Sequence, residues 1–147
     1  MLVIEAPSEE ETIQAGRDLA ARLRGIVLLT GDLGAGKTTL VRGIVSAIEG
    51  AREEEVSSPT FTLIHDYGAG VVHIDLYRLE TQREIDTLGL DEIFDHAHLV
   101  LVEWGEKLGA RKPLPRTEIH ISYAGDGRLI ELVEYLEKSD ATGTRTT

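Results

Sequence analysis

Two unbroken apolar runs, Ile26-Val27-Leu28-Leu29 and Leu99-Val100-Leu101-Val102, stand out from an otherwise mixed pattern. Runs without polar alternation predict strands covered on both faces, as in a parallel sheet. Ahead of the first run lie a short strand, Leu2 to Glu5, and a helix. Ser8 with Glu11 forms an S-x-x-E capping box that opens this helix; its pattern runs to about Leu23, and Gly25 is placed to end it. After the first run a glycine-rich turn leads into a second helix. Val41, Ile44, Val45 and Ile48 give it an i, i+3, i+4, i+7 stripe, and Gly50 marks its expected end. Phe61 to Tyr67 and Val71 to Tyr77 read as extended segments joined by Gly68-Ala69-Gly70, an antiparallel hairpin. Thr81 to Leu88 is a weak helix, and the second apolar run lies within His98 to Glu103. Glu118 to Tyr123 and Arg128 to Tyr135 alternate around Gly125-Asp126-Gly127, a D-G turn signal for a terminal hairpin. Strand, loop and helix in this order are half of a doubly wound unit. The expected fold is α/β: one domain over residues 1–138 with a mixed, mainly parallel central sheet, flanking helices and a C-terminal β-hairpin. Residues 139–147, SDATGTRTT, form an apolar-poor tail.

Composition narrows the function. The 147 residues are 41% hydrophobic, and 15 Lys+Arg against 26 Asp+Glu leave a formal charge of −11. That balance disfavours broad phosphate-backbone binding, which needs clustered cations, so any action on nucleic acid is expected to pass through a partner. Zero cysteines exclude disulfides, thiolate metal sites and cysteine nucleophiles. The N-terminal MLVIEAPSEEE has no basic leader region, and no stretch approaches the ~20 apolar residues of a membrane span. A soluble, cytoplasmic protein is expected, with no membrane contact.

The chemistry is concentrated in Gly31-Asp32-Leu33-Gly34-Ala35-Gly36-Lys37-Thr38, which satisfies G-x-x-x-x-G-K-[ST] between a strand and a helix. Its glycines let backbone N–H groups turn inward on phosphate oxygens, and the following helix start favours anions. Lys37 is expected to reach the β and γ phosphates of a nucleotide, Thr38 to take a position on Mg²⁺, and Thr39 to extend the cradle to the α phosphate. Hydrolysis also needs a carboxylate to hold Mg²⁺ or orient water, and two candidates compete: Asp75 in Val-Val-His-Ile-Asp-Leu-Tyr, and Glu103 at the end of the second apolar run. Glu103 is the better central-strand candidate, its carboxylate emerging where doubly wound folds place ligands. Thr60, in the polar loop after Ser57-Ser58-Pro59, sits where a γ-phosphate-sensing threonine would be. Trp104, the single tryptophan, reads as a packing residue or, from its place beside Glu103, as a nucleotide contact. Among five histidines, His96-x-His98 can share a strand face, but no spacing supports zinc.

Four segments together resemble the bacterial TsaE (YjeE) family of P-loop ATPases in the tRNA threonylcarbamoyladenosine pathway. They are Gly31 to Thr39, Ser58-Pro59-Thr60-Phe61-Thr62-Leu63, His73-Ile74-Asp75-Leu76-Tyr77-Arg78-Leu79, and Val102-Glu103-Trp104-Gly105-Glu106. The resemblance implies a compact P-loop NTPase-like fold with slow ATP hydrolysis. It also implies work alongside a TsaB–TsaD heterodimer that modifies adenosine 37 of tRNA. It makes Lys37 and Thr38 the phosphate and Mg²⁺ residues, Thr60 the switch position, and Asp75 and Glu103 the acids needed for activity, with Trp104 near the nucleotide. Two other readings stay open on the residues: a small-molecule kinase, for which 147 residues leave little room for acceptor site and lid, and a nucleotide-gated binding module whose hydrolysis is dispensable.

Overall fold

The computed structural model describes residues 1–32, 34–56 and 63–136. Seven strands form one sheet in the order β1-β7-β6-β2-β5-β4-β3. In chain order they are β1 (Leu2–Ala6), β2 (Gly25–Thr30), β3 (Ile64–Gly68), β4 (Val71–Asp75), β5 (Leu99–Glu103), β6 (Arg116–Ala124) and β7 (Gly127–Tyr135). β2 is parallel to β5 and β6, and β5 to β4, while the β1–β7, β6–β7 and β3–β4 pairs are antiparallel. β1 therefore points the same way as β2, β4, β5 and β6, which makes the sheet mixed and mainly parallel as expected. The Gly68-Ala69-Gly70 and Gly125-Asp126-Gly127 turns close the two hairpins.

Both apolar runs are central. Every residue of β5 is buried, and its side chains alternate between two cores. Leu99 and Leu101 join Val27, Leu29, Leu40, Ile44 and Ile119 beneath helices α1 (Glu9–Ala20) and α2 (Lys37–Ser46). Val100 and Val102 join Leu28, Ile74, Leu76 and Leu108 beneath α3 (Gln82–Asp86) and α4 (Leu90–His96). A strand with no alternation is what a sheet covered on two faces demands.

Several boundaries differ from expectation, each for a local reason. Ser8 caps α1 by accepting from Glu11 N, but the helix stops at Ala20. Gly25, at φ +71°, opens β2 instead, its N–H donating to His98 O across 2.9 Å. α2 likewise ends at Ser46, with Gly50 beyond it in the following turn. β4 ends at Asp75 because its own carboxylate accepts from Tyr77 N at 2.8 Å and turns the chain. The weak helix is one short turn-and-a-half, fixed by a Thr81–Glu84 capping box. Sequence periodicity missed α4 and the 3₁₀ segment Gly105–Arg111, because both are too short to show a stripe. His96 ends α4 with Nδ1 bonded to Glu92 O, so it shares no strand face with His98. Phe61, Thr62 and the tail 139–147 lie outside the described residues. Among the described residues, no helix is long and apolar enough to cross a membrane.

α1 and α2 touch backbone to backbone at glycines. A Cβ on Gly43 would stand 2.2 Å from Ile13 O, and one on Gly16 would stand 2.6 Å from Leu40 O. Neither neighbour is a flexible side chain, so the helices would have to separate. Gly43→Ala is expected to destabilise the fold by about 2–3 kcal/mol in urea unfolding, despite alanine's better helix propensity. An unchanged midpoint would show that the pair can slide apart without loss.

Candidate functional site

β2 delivers the chain to the loop at Thr30, and α2 takes it up at Lys37. Between them, a Cβ on Gly31 would meet Ile121 O at 2.3 Å, so only glycine lets the loop lie against β6. Gly36, at φ +111°, caps α2 without a side chain and leaves the helix's first N–H groups to whatever binds there. Ala35 N donates back to Asp32 O at 3.0 Å, tightening the loop. Leu33 lies outside the described residues, as does Thr60, so the expected switch position is not placed.

Lys37 is only 5% exposed. Its Nζ donates to Gly31 O at 2.5 Å and Asp32 O at 3.0 Å, and stands 4.4 Å from the centre of the Trp104 ring. Burial lowers its pKa, and the nearby charges of Glu103, Glu106, Asp75 and Asp32 oppose that shift. The ammonium is thus a poorly hydrated cation held at the loop's mouth by carbonyls. Anionic oxygens are better partners for it.

The two acids are brought together. Asp75 and Glu103 are register partners on β4 and β5, both at the C-terminal end of the parallel strands. Glu103 is 3% exposed, and the Thr38 hydroxyl donates to it at 3.2 Å. Asp75 is half-buried; desolvation raises its pKa, and the charge of Glu103 adds to this against the Tyr77 N–H and Lys37. Raised in the folded state, this carboxyl makes ionisation unfavourable to folding, so stability falls as pH rises through its folded pKa. Asp75→Asn is expected to raise the melting temperature by about 2 °C at pH 7 in EDTA, with the gain vanishing below pH 4. A gain that persists in acid would assign the effect to packing. Hydroxyl and carboxylate oxygens are the hard donors that a divalent cation such as Mg²⁺ takes, so Thr38, Asp75 and Glu103 are the residues that could hold one.

Trp104 sits at φ +61°, a left-handed conformation unusual for a residue with a bulky side chain, and turns its ring toward Lys37 and Tyr77. Thr39 faces a cavity of about 300 Å³ shared with Gly34, Gly36, Thr12 and Arg128. A larger groove of about 1130 Å³ opens at the opposite ends of the strands, around Gly25, His98 and Arg116, away from this chemistry.

Three contributors escaped the sequence reading. His73, fully buried, places Nε2 2.6 Å from Glu103 Oε2; its H-x-D spacing from Asp75 on a strand was the available signal, since residues two apart share a face. Tyr67 reaches His73 from β3 at 2.7 Å. Arg128 Nε donates to Ala35 O at 2.6 Å, bracing the loop from β7, 93 residues away. No local pattern announces that contact.

A glycine loop with a buried lysine, entered from a central parallel strand and left through a helix, defines a P-loop NTPase-like α/β protein. The chain belongs to the TsaE family: the family model Threonylcarbamoyl adenosine biosynthesis protein TsaE matches residues 6–130. It is 40% identical over 111 residues to the tRNA threonylcarbamoyladenosine biosynthesis protein TsaE of Haemophilus influenzae, covering 74% of this chain and 69% of that one. It is also 40% identical over 123 residues to the protein of the same name from Bacillus subtilis, covering 82% and 75%. The crystal structure of YdiB from Bacillus subtilis superposes with a TM-score of 0.71 at 31% identity, covering 91% of this chain and 85% of that chain.

Proposed function

We propose that this protein binds ATP with Mg²⁺ at the Gly31–Thr39 loop, hydrolyses it slowly, and supports turnover of a TsaB–TsaD heterodimer that installs the threonylcarbamoyl group on adenosine 37 of tRNA. The observation that carries the hydrolytic part is the convergence of Lys37, Thr38, Asp75 and Glu103 at the ends of β2, β4 and β5. Lys37 exchanges loop carbonyls for phosphate oxygens and neutralises the charge that builds as the γ-phosphoryl leaves. Thr38 and Glu103, with Asp75 beside them, hold the Mg²⁺, which when bound neutralises phosphate charge. Glu103 also stands where it can orient a water for attack. Trp104 walls the lysine from bulk solvent, and the cavity beyond Thr39 offers room for sugar and base. The family membership supports the pathway. The net charge of −11 supports a role through partner proteins instead of direct tRNA binding.

The test is reconstituted tRNA modification with the TsaB–TsaD heterodimer, ATP, and this protein added or omitted. Many rounds of modification per heterodimer are expected only when it is present; equal product without it would overturn the role. The same reaction with labelled ATP separates the kinase alternative, which requires phosphate to appear on an organic acceptor instead of free in solution.

A further inference from the structure

Behind the phosphate loop, a file of four polar groups crosses the sheet from β3 to α2. Tyr67 Oη stands 2.7 Å from His73 Nδ1, His73 Nε2 stands 2.6 Å from Glu103 Oε2, and Thr38 Oγ1 stands 3.2 Å from that same oxygen. Tyr67 and His73 are fully buried. An ionised carboxylate only accepts, so the assignment that matches an ionised Glu103 has His73 donating through Nε2–H. With a single ring proton given to Glu103, Nδ1 is left as the acceptor for the Tyr67 O–H. Burial, and after it the charge of Glu103, push the Tyr67 phenol above its ordinary value, so its proton stays in place. Every hydrogen bond in the file then runs toward Glu103.

We propose that His73 is a positioning residue: with Tyr67 fixing its tautomer, it pins the Glu103 carboxylate against Thr38 as an acceptor-only group. The inference rests on the reading of Glu103 as the acid that serves hydrolysis. A glutamate at a strand end has three rotatable side-chain bonds, and the short bond from His73 restricts them to an orientation with both oxygens within 3.4 Å of the Thr38 hydroxyl. Register makes the contact possible, because His73 pairs with Leu101 on β5, two residues before Glu103 and on the same face. Partners of this kind orient a ligating carboxylate and hold it in its acceptor-only form without touching substrate.

The experiment combines a spectroscopic readout with kinetics on the full chain. In ¹⁵N-labelled protein, the His73 signals are expected to show a protonated Nε2 and a bare Nδ1; the opposite tautomer would overturn the proposal. Tyr67→Phe keeps the buried ring and is expected to lower kcat three- to tenfold with KM within twofold and a nearly unchanged melting temperature. His73→Leu is expected to lower kcat tenfold or more. His73→Gln, which retains an N–H and a carbonyl on one side chain, is expected to recover most of that loss. Equal kcat in Tyr67→Phe and wild type, or equal losses in the Leu and Gln variants, would reduce His73 to packing. Should His73→Leu fail to fold, the tautomer and Tyr67→Phe still decide. Glu103→Gln serves as the control: full turnover in that variant would remove the hydrolytic reading, while the tautomer measurement would still decide the donation pattern on its own.

Discussion

Lys37→Met should weaken ATP binding by roughly two to three orders of magnitude. The basis is Coulombic. Two unit charges about 4 Å apart at an effective dielectric of 20 interact by about 4 kcal/mol, and each 1.36 kcal/mol is tenfold in affinity. Solvent reorganisation takes part of that. The change also leaves the phosphates facing Asp32, Asp75, Glu103 and Glu106, the four acids whose fields act on the lysine, with their nearest counter-charge gone. Methionine retains much of the buried stem, and the fold loses a desolvated cation along with its two bonds to loop carbonyls. The melting temperature should therefore stay within a few degrees of wild type. Isothermal titration calorimetry supplies the assay for this variant; where Lys37 is kept, its Nζ lies 4.4 Å from the Trp104 ring, so nucleotide that draws the ammonium away should also change Trp104 fluorescence. A titration with Mg²⁺ and ATP that saturates at the same concentration in both proteins would refute the phosphate assignment of Lys37.

Glu103→Gln should separate binding from turnover. Gln has nearly the same shape and keeps an oxygen for the His73 and Thr38 donors, so the β5 terminus should pack as before. What disappears is the negative charge proposed to hold Mg²⁺ and polarise water. Removing one preorganised electrostatic partner typically costs about 10²–10³ in kcat. ATP affinity should change by less than about tenfold, because the loop amides and Lys37 remain. Phosphate release in single-turnover assays checks the first expectation, and Trp104 fluorescence the second. A variant that binds ATP, releases no phosphate and still supports many rounds of tRNA modification would favour the nucleotide-gated module over the ATPase.

The predicted architecture rested on two kinds of sequence signal, and their success differed for physical reasons. The unbroken runs ending at Leu29 and Val102 could be read as central strands because burial on two faces suppresses alternation, whichever neighbours do the covering. The D-G turn and the Gly68–Gly70 turn were legible because few residues tolerate their backbone angles. Helix ends were not. Gly25 and Gly50 look like helix stops, yet Gly25 is consumed by the sheet and the chain leaves both helices earlier.

The phosphate loop is local chemistry: glycines, lysine and threonine lie within eight consecutive residues, so spacing alone declares what they can hold. Sequence also named Asp75, within the extended segment Val71 to Tyr77, and Glu103, at the end of the second apolar run. That they stand side by side was decided only by the parallel pairing of β4 with β5, a register set by the 23 intervening residues, 76–98, of turns and short helices. The same pairing brought His73 to Glu103, and the β3–β4 hairpin carried Tyr67 to His73. The brace from Arg128 to Ala35 joins the last strand to the first loop. Contacts between segments far apart in the chain depend on how the sheet is assembled, and hydrophobic burial, which drives that assembly, is blind to which polar side chains it brings into hydrogen-bonding reach.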